Sequence, residues 1–216
     1  MNLKIIAHRG EWSLKNEKNS EKAFARAIKN GFGVETDIRD YCGELVISHD
    51  VPQERGLLLE NFFDLYNELS VNQDSQVLAL NIKSDGISKQ LIELINKHNI
   101  NNYFVFDMSI PDTMGYIEKK IKTYSRISEL EAESNLHLIT DGVFLDQFYG
   151  TWYTPEYLEF LIKKYKRVCI VSSELHGFPE FECWNVLAKL SAEVRNNIIL
   201  CTDFPKKSME FFHDKE

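Results

Sequence analysis

Lys4-Ile5-Ile6-Ala7-His8-Arg9-Gly10 is an apolar run that ends on an imidazole, a guanidinium and a glycine. Seven more short runs follow: Gly33–Ile38, Val77–Ile82, Tyr103–Met108, Thr123–Ile127, Val143–Phe148, Val168–Val171 and Ile198–Cys201. They are rich in Val, Ile, Phe and Tyr and bounded by polar residues or glycine, as strands are. Stretches with helical spacing alternate with them: Ser20–Asn30, Leu57–Leu69, Ser88–Lys97, Pro111–Lys119, Ser128–Ser134, Pro155–Tyr165 and Phe181–Val194, with a short last one at Lys206–Phe212. Ser20 and Thr154 have the character of N-caps, and Pro155 suits a first helical position.

Eight strands alternating with helices predict an α/β fold, a TIM (β/α)8 barrel. An open α/β sheet is the competing architecture, and Thr123–Ile127 is the weakest of the runs. The pattern is unbroken by linker or repeat, so residues 1–216 are expected to form one barrel domain. The chain is shorter than the ~250 residues typical of that fold. Short or missing helices are therefore expected, after the fourth and fifth strands above all. Leu45–Ser48 reads as an extra strand or extended segment in the loop after the second.

Apolar residues make up 44% of the chain, with 14 Phe, 9 Tyr and 3 Trp, which is ample for a core. No stretch approaches the roughly 20 apolar residues of a membrane span. The first strand begins almost at once, leaving no room for a signal peptide, so a cytoplasmic protein is expected. Cys42, Cys169, Cys183 and Cys201 lack metal-type spacing and read as ordinary thiols. A formal charge of −8, without a basic patch, argues against nucleic acid as a partner.

The polar residues fall where barrel enzymes keep their chemistry, at the carboxyl ends of strands. His8 and Arg9 end the first run, Glu35 and Asp37 stand two apart near the end of the second, and Asn81 and Lys83 repeat that spacing at the third. Residues at i and i+2 share a face, and a polar pair on an apolar strand is costly without a partner. Three successive strands ending this way point to a shared site. Ser48-His49-Asp50 adds a second imidazole. Histidines can give and take a proton near neutral pH, arginine matches phosphate oxygens, and two carboxylates can hold a hard cation. That equipment suits metal-assisted cleavage of a phosphodiester.

The motifs Ile6-Ala7-His8-Arg9-Gly10, Asn19-Ser20, Ala23-Phe24, Ala27, Gly31, Glu35-x-Asp37 and Val46-x-x-His49-Asp50 resemble those of the glycerophosphodiester phosphodiesterases. Thr202-Asp203-Phe204-Pro205 is similar to that family's Thr-Asp-x-Pro near the last strand. The resemblance is dense over residues 5–50, thin to Lys83 and fold-level beyond. The family has a (β/α)8 barrel of the PLC-like phosphodiesterase type, shared more distantly by bacterial phosphatidylinositol phospholipases C and spider sphingomyelinases D. It implies that His8 and His49 are the catalytic acid/base pair and that Arg9 and Lys83 bind the substrate phosphate. It also implies that Glu35 and Asp37 ligate Mg²⁺ or Ca²⁺, with Asn81 in the place of a third metal carboxylate. The partner would be a small phosphodiester, its alcohol groups and the oligomeric state being left open.

Two positions depart from that pattern. Where the family has Pro-Glu-Asn-Thr this chain has Glu17-Lys18-Asn19-Ser20, so Lys18 replaces a site carboxylate, and Asn81 replaces another. Weaker metal binding is expected, with Glu17 able to swing in as a substitute. A divergent member that binds a phosphodiester or phosphosugar without cleaving it is the alternative, as is a lyase or transferase giving a cyclic phosphate. Arg126, Asp146 and Trp152 are candidates for lining the pocket, Arg126 for a second anionic group. His98, His137 and His213 read as solvated and His176 as a turn residue.

Overall fold

The computed structural model describes residues 3–165 and 167–213. Among the described residues nine strands and eight α-helices form in this order: β1 (Lys4–His8), α1 (Glu21–Lys29), β2 (Gly33–Tyr41), β3 (Glu44–Ile47), α2 (Leu59–Leu69), β4 (Leu78–Ile82), α3 (Ser88–Lys97), β5 (Tyr103–Phe106), α4 (Ile110–Glu118), β6 (Tyr124–Ile127), β7 (Gly142–Leu145), α5 (Pro155–Tyr165), β8 (Val168–Val171), α6 (Phe181–Ala188), α7 (Ala192–Arg195), β9 (Ile198–Thr202) and α8 (Pro205–His213). The fold is α/β, of the TIM-barrel type, as the alternating runs predict. Contacts group it into two compact units, Ala7–Thr123 and the described residues before and after it.

In the unit Ala7–Thr123 the strand order is β5-β4-β2-β1, with β2, β4 and β5 parallel. Thr123, just ahead of β6, bridges in parallel to Val105 of β5. The extra segment after β2 is β3, antiparallel to it. Cys42 and Gly43 join the two, with φ of 49° and 82°. Two consecutive left-handed residues make the tight hairpin turn whose twist matches paired strands. Helix α1 is capped by Ser20, whose hydroxyl accepts from the Ala23 amide, and buries the stripe Ala23, Phe24, Ala27, Ile28. Phe24 meets Phe62 of α2 with ring centroids 4.6 Å apart.

Gln76 fastens this layer. Its buried amide nitrogen donates to the carbonyls of Ile28 (2.7 Å) and Phe32 (3.1 Å) beyond α1. Its Oε1 accepts from Ser70 Oγ and from the amides of Val71 and Asn72, after α2. One side chain thus satisfies carbonyls and amides left over at two helix ends, which would be costly if buried unpaired.

In the second unit the order is β6-β7-β8-β9-β1, and β6 to β9 are parallel. Trp184 of α6 is fully buried against Phe211 and Phe212 of α8, and its indole N–H donates to Ser172 Oγ at 2.9 Å. Leu158 and Leu161 of α5 belong to the same core.

Three local expectations are corrected. The stretch Ser128–Ser134 is not a helix. Ser128 Oγ accepts from the amides of Leu130 and Glu131, and Ser134 caps a single 3₁₀ turn, Asn135–Leu138. Serine hydroxyls compete for the amides a helix would need. Phe181–Val194 divides into α6 and α7 because Ser191 caps a new turn through the Val194 amide. The expected shortening after the fourth and fifth barrel strands is found: α4 has nine residues, capped by Ser109, and only the 3₁₀ turn Asn135–Leu138 follows β6. His98 and His137 are buried, not solvated. His98 Nδ1 pairs with Asp64 at 2.9 Å, and His137 Nε2 donates to the Arg126 carbonyl at 2.8 Å. Among the described residues no helix is long and apolar enough to cross a membrane.

Gln76→Ala should lower unfolding stability by about 1–3 kcal/mol, because the buried Phe32 carbonyl loses its donor and the side-chain link between the two helix ends is gone. Urea denaturation of both proteins measures this. A loss below about 0.5 kcal/mol would mean that the carbonyl finds another donor.

Candidate active site

The sequence candidates on the first three parallel strands lie in the unit Ala7–Thr123. The chain leaves β1 through Arg9 (φ 57°) and Gly10 (φ 85°). A Cβ on Gly10 would stand 2.8 Å from Ala23 of α1, so only glycine lets the turn lie this close to the helix. The Arg9 amide donates to the Glu35 carbonyl at 2.9 Å and to Glu35 Oε2 at 3.2 Å. His8 Nε2 is 3.8 Å from that same carboxylate oxygen.

Asp37 is the centre of the arrangement. It is fully buried, and Arg9 Nε stands 3.0 Å from its Oδ2. Asn19 Nδ2 donates to that oxygen at 2.8 Å. Thr36 Oγ1 in turn donates to Asn19 Oδ1 at 2.9 Å, and the Asn19 amide donates to the Arg9 carbonyl. Asn19 therefore links the ends of β1 and β2. Its family-like setting beside Ser20 marks it in the sequence, but nothing there shows which carboxylate it serves. Lys83 Nζ lies 3.5 Å from Asp37 Oδ1 and 3.7 Å from Asp107 Oδ2. Asp107, just past β5, holds a left-handed backbone with φ 77°.

Asn81 is the parallel partner of Asp37 across β4 and β2. The buried oxygens Asp37 Oδ1 and Asn81 Oδ1 each lack a hydrogen bond. Burial raises the pKa of Glu35, and Asp37 raises it further, while His8, Arg9 and Lys83 oppose them. A buried, closely spaced acidic pair demands positive charge.

His49 arrives from the other side of β2. The Ser48 amide donates to the Asp37 carbonyl at 3.1 Å, extending the hairpin pairing to the site. His49 is half exposed, and its Nδ1 pairs with Asp50 Oδ1 at 2.8 Å. The structure thus gathers His8, Arg9, Glu35, Asp37, Asn81 and Lys83 directly, and ties the His49 loop to the Asp37 backbone.

The donor atoms of Glu35, Asp37 and Asn81 are oxygens, the kind a hard divalent cation takes. Glu35 and Asp37 would supply charge, and the unpartnered amide oxygen of Asn81 the third ligand. Among the described residues no group of three or more His, Cys, Asp or Glu could hold a metal ion. The site therefore depends on Asn81, and Arg9 and Lys83 already lie against Asp37.

Glu17 does not turn towards the acidic pair. It accepts from the Ser13 amide and binds Lys22 and Arg26 of α1, which hold its carboxyl far below the usual range. Lys18 Nζ lies over the Trp12 ring, 4.5 Å from its centroid. Arg126, Asp146 and Trp152 belong to the other unit. Asp146 pairs with His176 Nε2 at 2.7 Å, lies 3.8 Å from Arg126 Nε, and lends its carbonyl to the Trp152 indole at 2.9 Å. His176 is thus more than a turn residue, a role that no local sequence signal carries.

No family model matches the chain, and no curated protein matches it. Solved structures do. A phosphodiesterase from Oleispira antarctica, in complex with the product sn-glycerol-3-phosphate, superposes with a TM-score of 0.67 at 15% identity, over 96% of this chain and 95% of that one. A glycerophosphodiester phosphodiesterase from Agrobacterium tumefaciens gives 0.60 at 15% identity over 94% and 97%. A calcium-dependent phosphoinositol-specific phospholipase C from a Pseudomonas species gives 0.58 at 10% identity over 94% and 90%. Barrels of other chemistry match as well, so the likeness is one of fold. This chain has the barrel fold found in the PLC-like phosphodiesterases.

Proposed function

We propose that the protein is a phosphoric diester hydrolase that acts on a glycerophosphodiester-like small molecule. The observation that carries the reading is the convergence of His8, Arg9, Lys83 and the His49 loop on one buried acidic pair, Glu35 and Asp37. Those are the groups that diester cleavage needs. The fold shared with phosphodiesterases, one of them in complex with sn-glycerol-3-phosphate, supports it.

In this reading Arg9 and Lys83 bind the non-bridging oxygens of the diester and offset their charge. One histidine takes the proton from the attacking water as its oxygen bonds to phosphorus. The other gives a proton to the alcohol oxygen as the bond between that oxygen and phosphorus breaks. His8, braced beside Glu35, and His49, braced by Asp50, are the pair. When bound on Glu35, Asp37 and Asn81, Mg²⁺ or Ca²⁺ supplies further neutralisation of phosphoryl charge.

A second reading is a binder that does not cleave. The ammonium and guanidinium against Asp37 and the neutral amide of Asn81 favour it, since they weaken the pull on a cation. Phosphorus NMR of a panel of glycerophosphodiesters, incubated with Mg²⁺, Mn²⁺ or Ca²⁺, separates the two. A released monoester is expected, and no product with any metal decides for the binder.

Two outcomes are expected of variants. His8→Ala and His49→Ala should each cut turnover by about 10²–10⁴-fold with the fold retained, as for positioned acid/base groups. Unchanged turnover in both would reject the mechanism. Mg²⁺ or Ca²⁺ should raise the melting temperature of the wild type and leave that of Asp37→Asn unmoved. Equal shifts in both proteins would place any cation elsewhere.

A further inference from the structure

Lys83 stands nearly midway between two carboxylates, 3.5 Å from Asp37 Oδ1 and 3.7 Å from Asp107 Oδ2. The two partners differ. Asp37 is fully buried, its Oδ2 is held by Asn19 and Arg9, and its Oδ1 lacks a hydrogen bond. Asp107 is partly exposed. It reaches its position through a left-handed backbone that few residues other than glycine, asparagine and aspartate adopt readily. The Lys83 amide is pinned to the Ile38 carbonyl at 2.9 Å, so only its flexible side chain is able to choose between them.

We infer that the Lys83 ammonium is a built-in stand-in for the divalent cation at Asp37 Oδ1, and that Asp107 is the positioning residue that receives it when a cation enters. This rests on the cation seat of the preceding reading. The buried oxygen needs positive charge in either state. An ammonium on the Asp37 side opposes a cation by like-charge repulsion and by occupying its oxygen, and both effects fall once it moves to Asp107. Cation loading thereby becomes coupled to the placement of a group that binds phosphate.

Calorimetric titration of the whole protein with MgCl₂ or CaCl₂ alone tests this, with no turnover involved. Lys83→Met should tighten cation binding by about 5- to 100-fold, a typical range for coupled sites. Asp107→Asn, which tolerates the same backbone, should weaken it by a similar factor. In the Lys83→Met background the same change should matter by less than about twofold, because the group that Asp107 receives is gone. Circular dichroism melts check folding, and Lys83→Gln replaces Lys83→Met if that variant does not fold. Binding by Lys83→Met alone would support the inference, with the ammonium holding the seat outright. Equal affinity in wild type and Lys83→Met would overturn it and leave the cation seat standing. Binding by neither would overturn it together with the seat. An Asp107→Asn effect undiminished in the double variant would remove Asp107 from the scheme.

Discussion

Asp37 is a charge with no access to water, and the architecture around it exists to make that tolerable. A carboxylate taken from water needs hydrogen bonds and opposite charge close at hand. Arg9 from the end of β1, Asn19 ahead of α1, and Lys83 beyond β4 all turn towards this side chain. Glu35, one pleat away, adds a second buried carboxyl to the same problem. Three consecutive parallel strands are tied at their carboxyl ends by electrostatics, whereas their middles are held by apolar packing. Arg9, Asn19 and Asp107, three of the non-glycine residues with left-handed backbone, stand by the same ends. Sparsely populated conformations cluster where a site over-determines them.

Much of this was legible in the residues because it follows from local rules. The apolar runs mark strands, and the two-residue spacing of Glu35 and Asp37 places both on one face. Ser20 and Thr154 cap the helices they precede. The runs also located the short β6, whose four residues still pair with β7. What escaped depends on distant partners. Gln76 looks like a loop residue, and only the closeness of two helix ends makes it a buried fastener. His98 and His137 read as solvated because their partners lie 34 and 11 residues back in the chain. Ser128–Ser134 has helical spacing, but its serines satisfy the amides themselves.

The same limit applies at the candidate site. The replacement of an expected carboxylate by Asn81 was plain, and so was the reversed charge at Lys18. That Glu17 is committed to Lys22 and Arg26, and so unable to compensate, is a fact of helix geometry. Charge lost in one place is therefore not restored by a neighbour in sequence. It is balanced by the cations that already surround Asp37, which is why metal and ammonium compete for the same oxygen in the reading advanced above.

The hairpin turn at Cys42 and Gly43 acts as a gauge. Its two left-handed residues allow one pairing of β2 with β3, in which Tyr41 faces Glu44 and Ile38 faces Ile47. That count delivers Ser48 to the Asp37 carbonyl and sets how far along the strand the half-exposed imidazole of His49 emerges. Length changes beyond Asp50 are absorbed in the loop, but a single residue gained or lost at the tip would turn every side chain of β3 to the opposite face. The distance between one end of the chemistry and the other is thus written in a pair of backbone angles far from either.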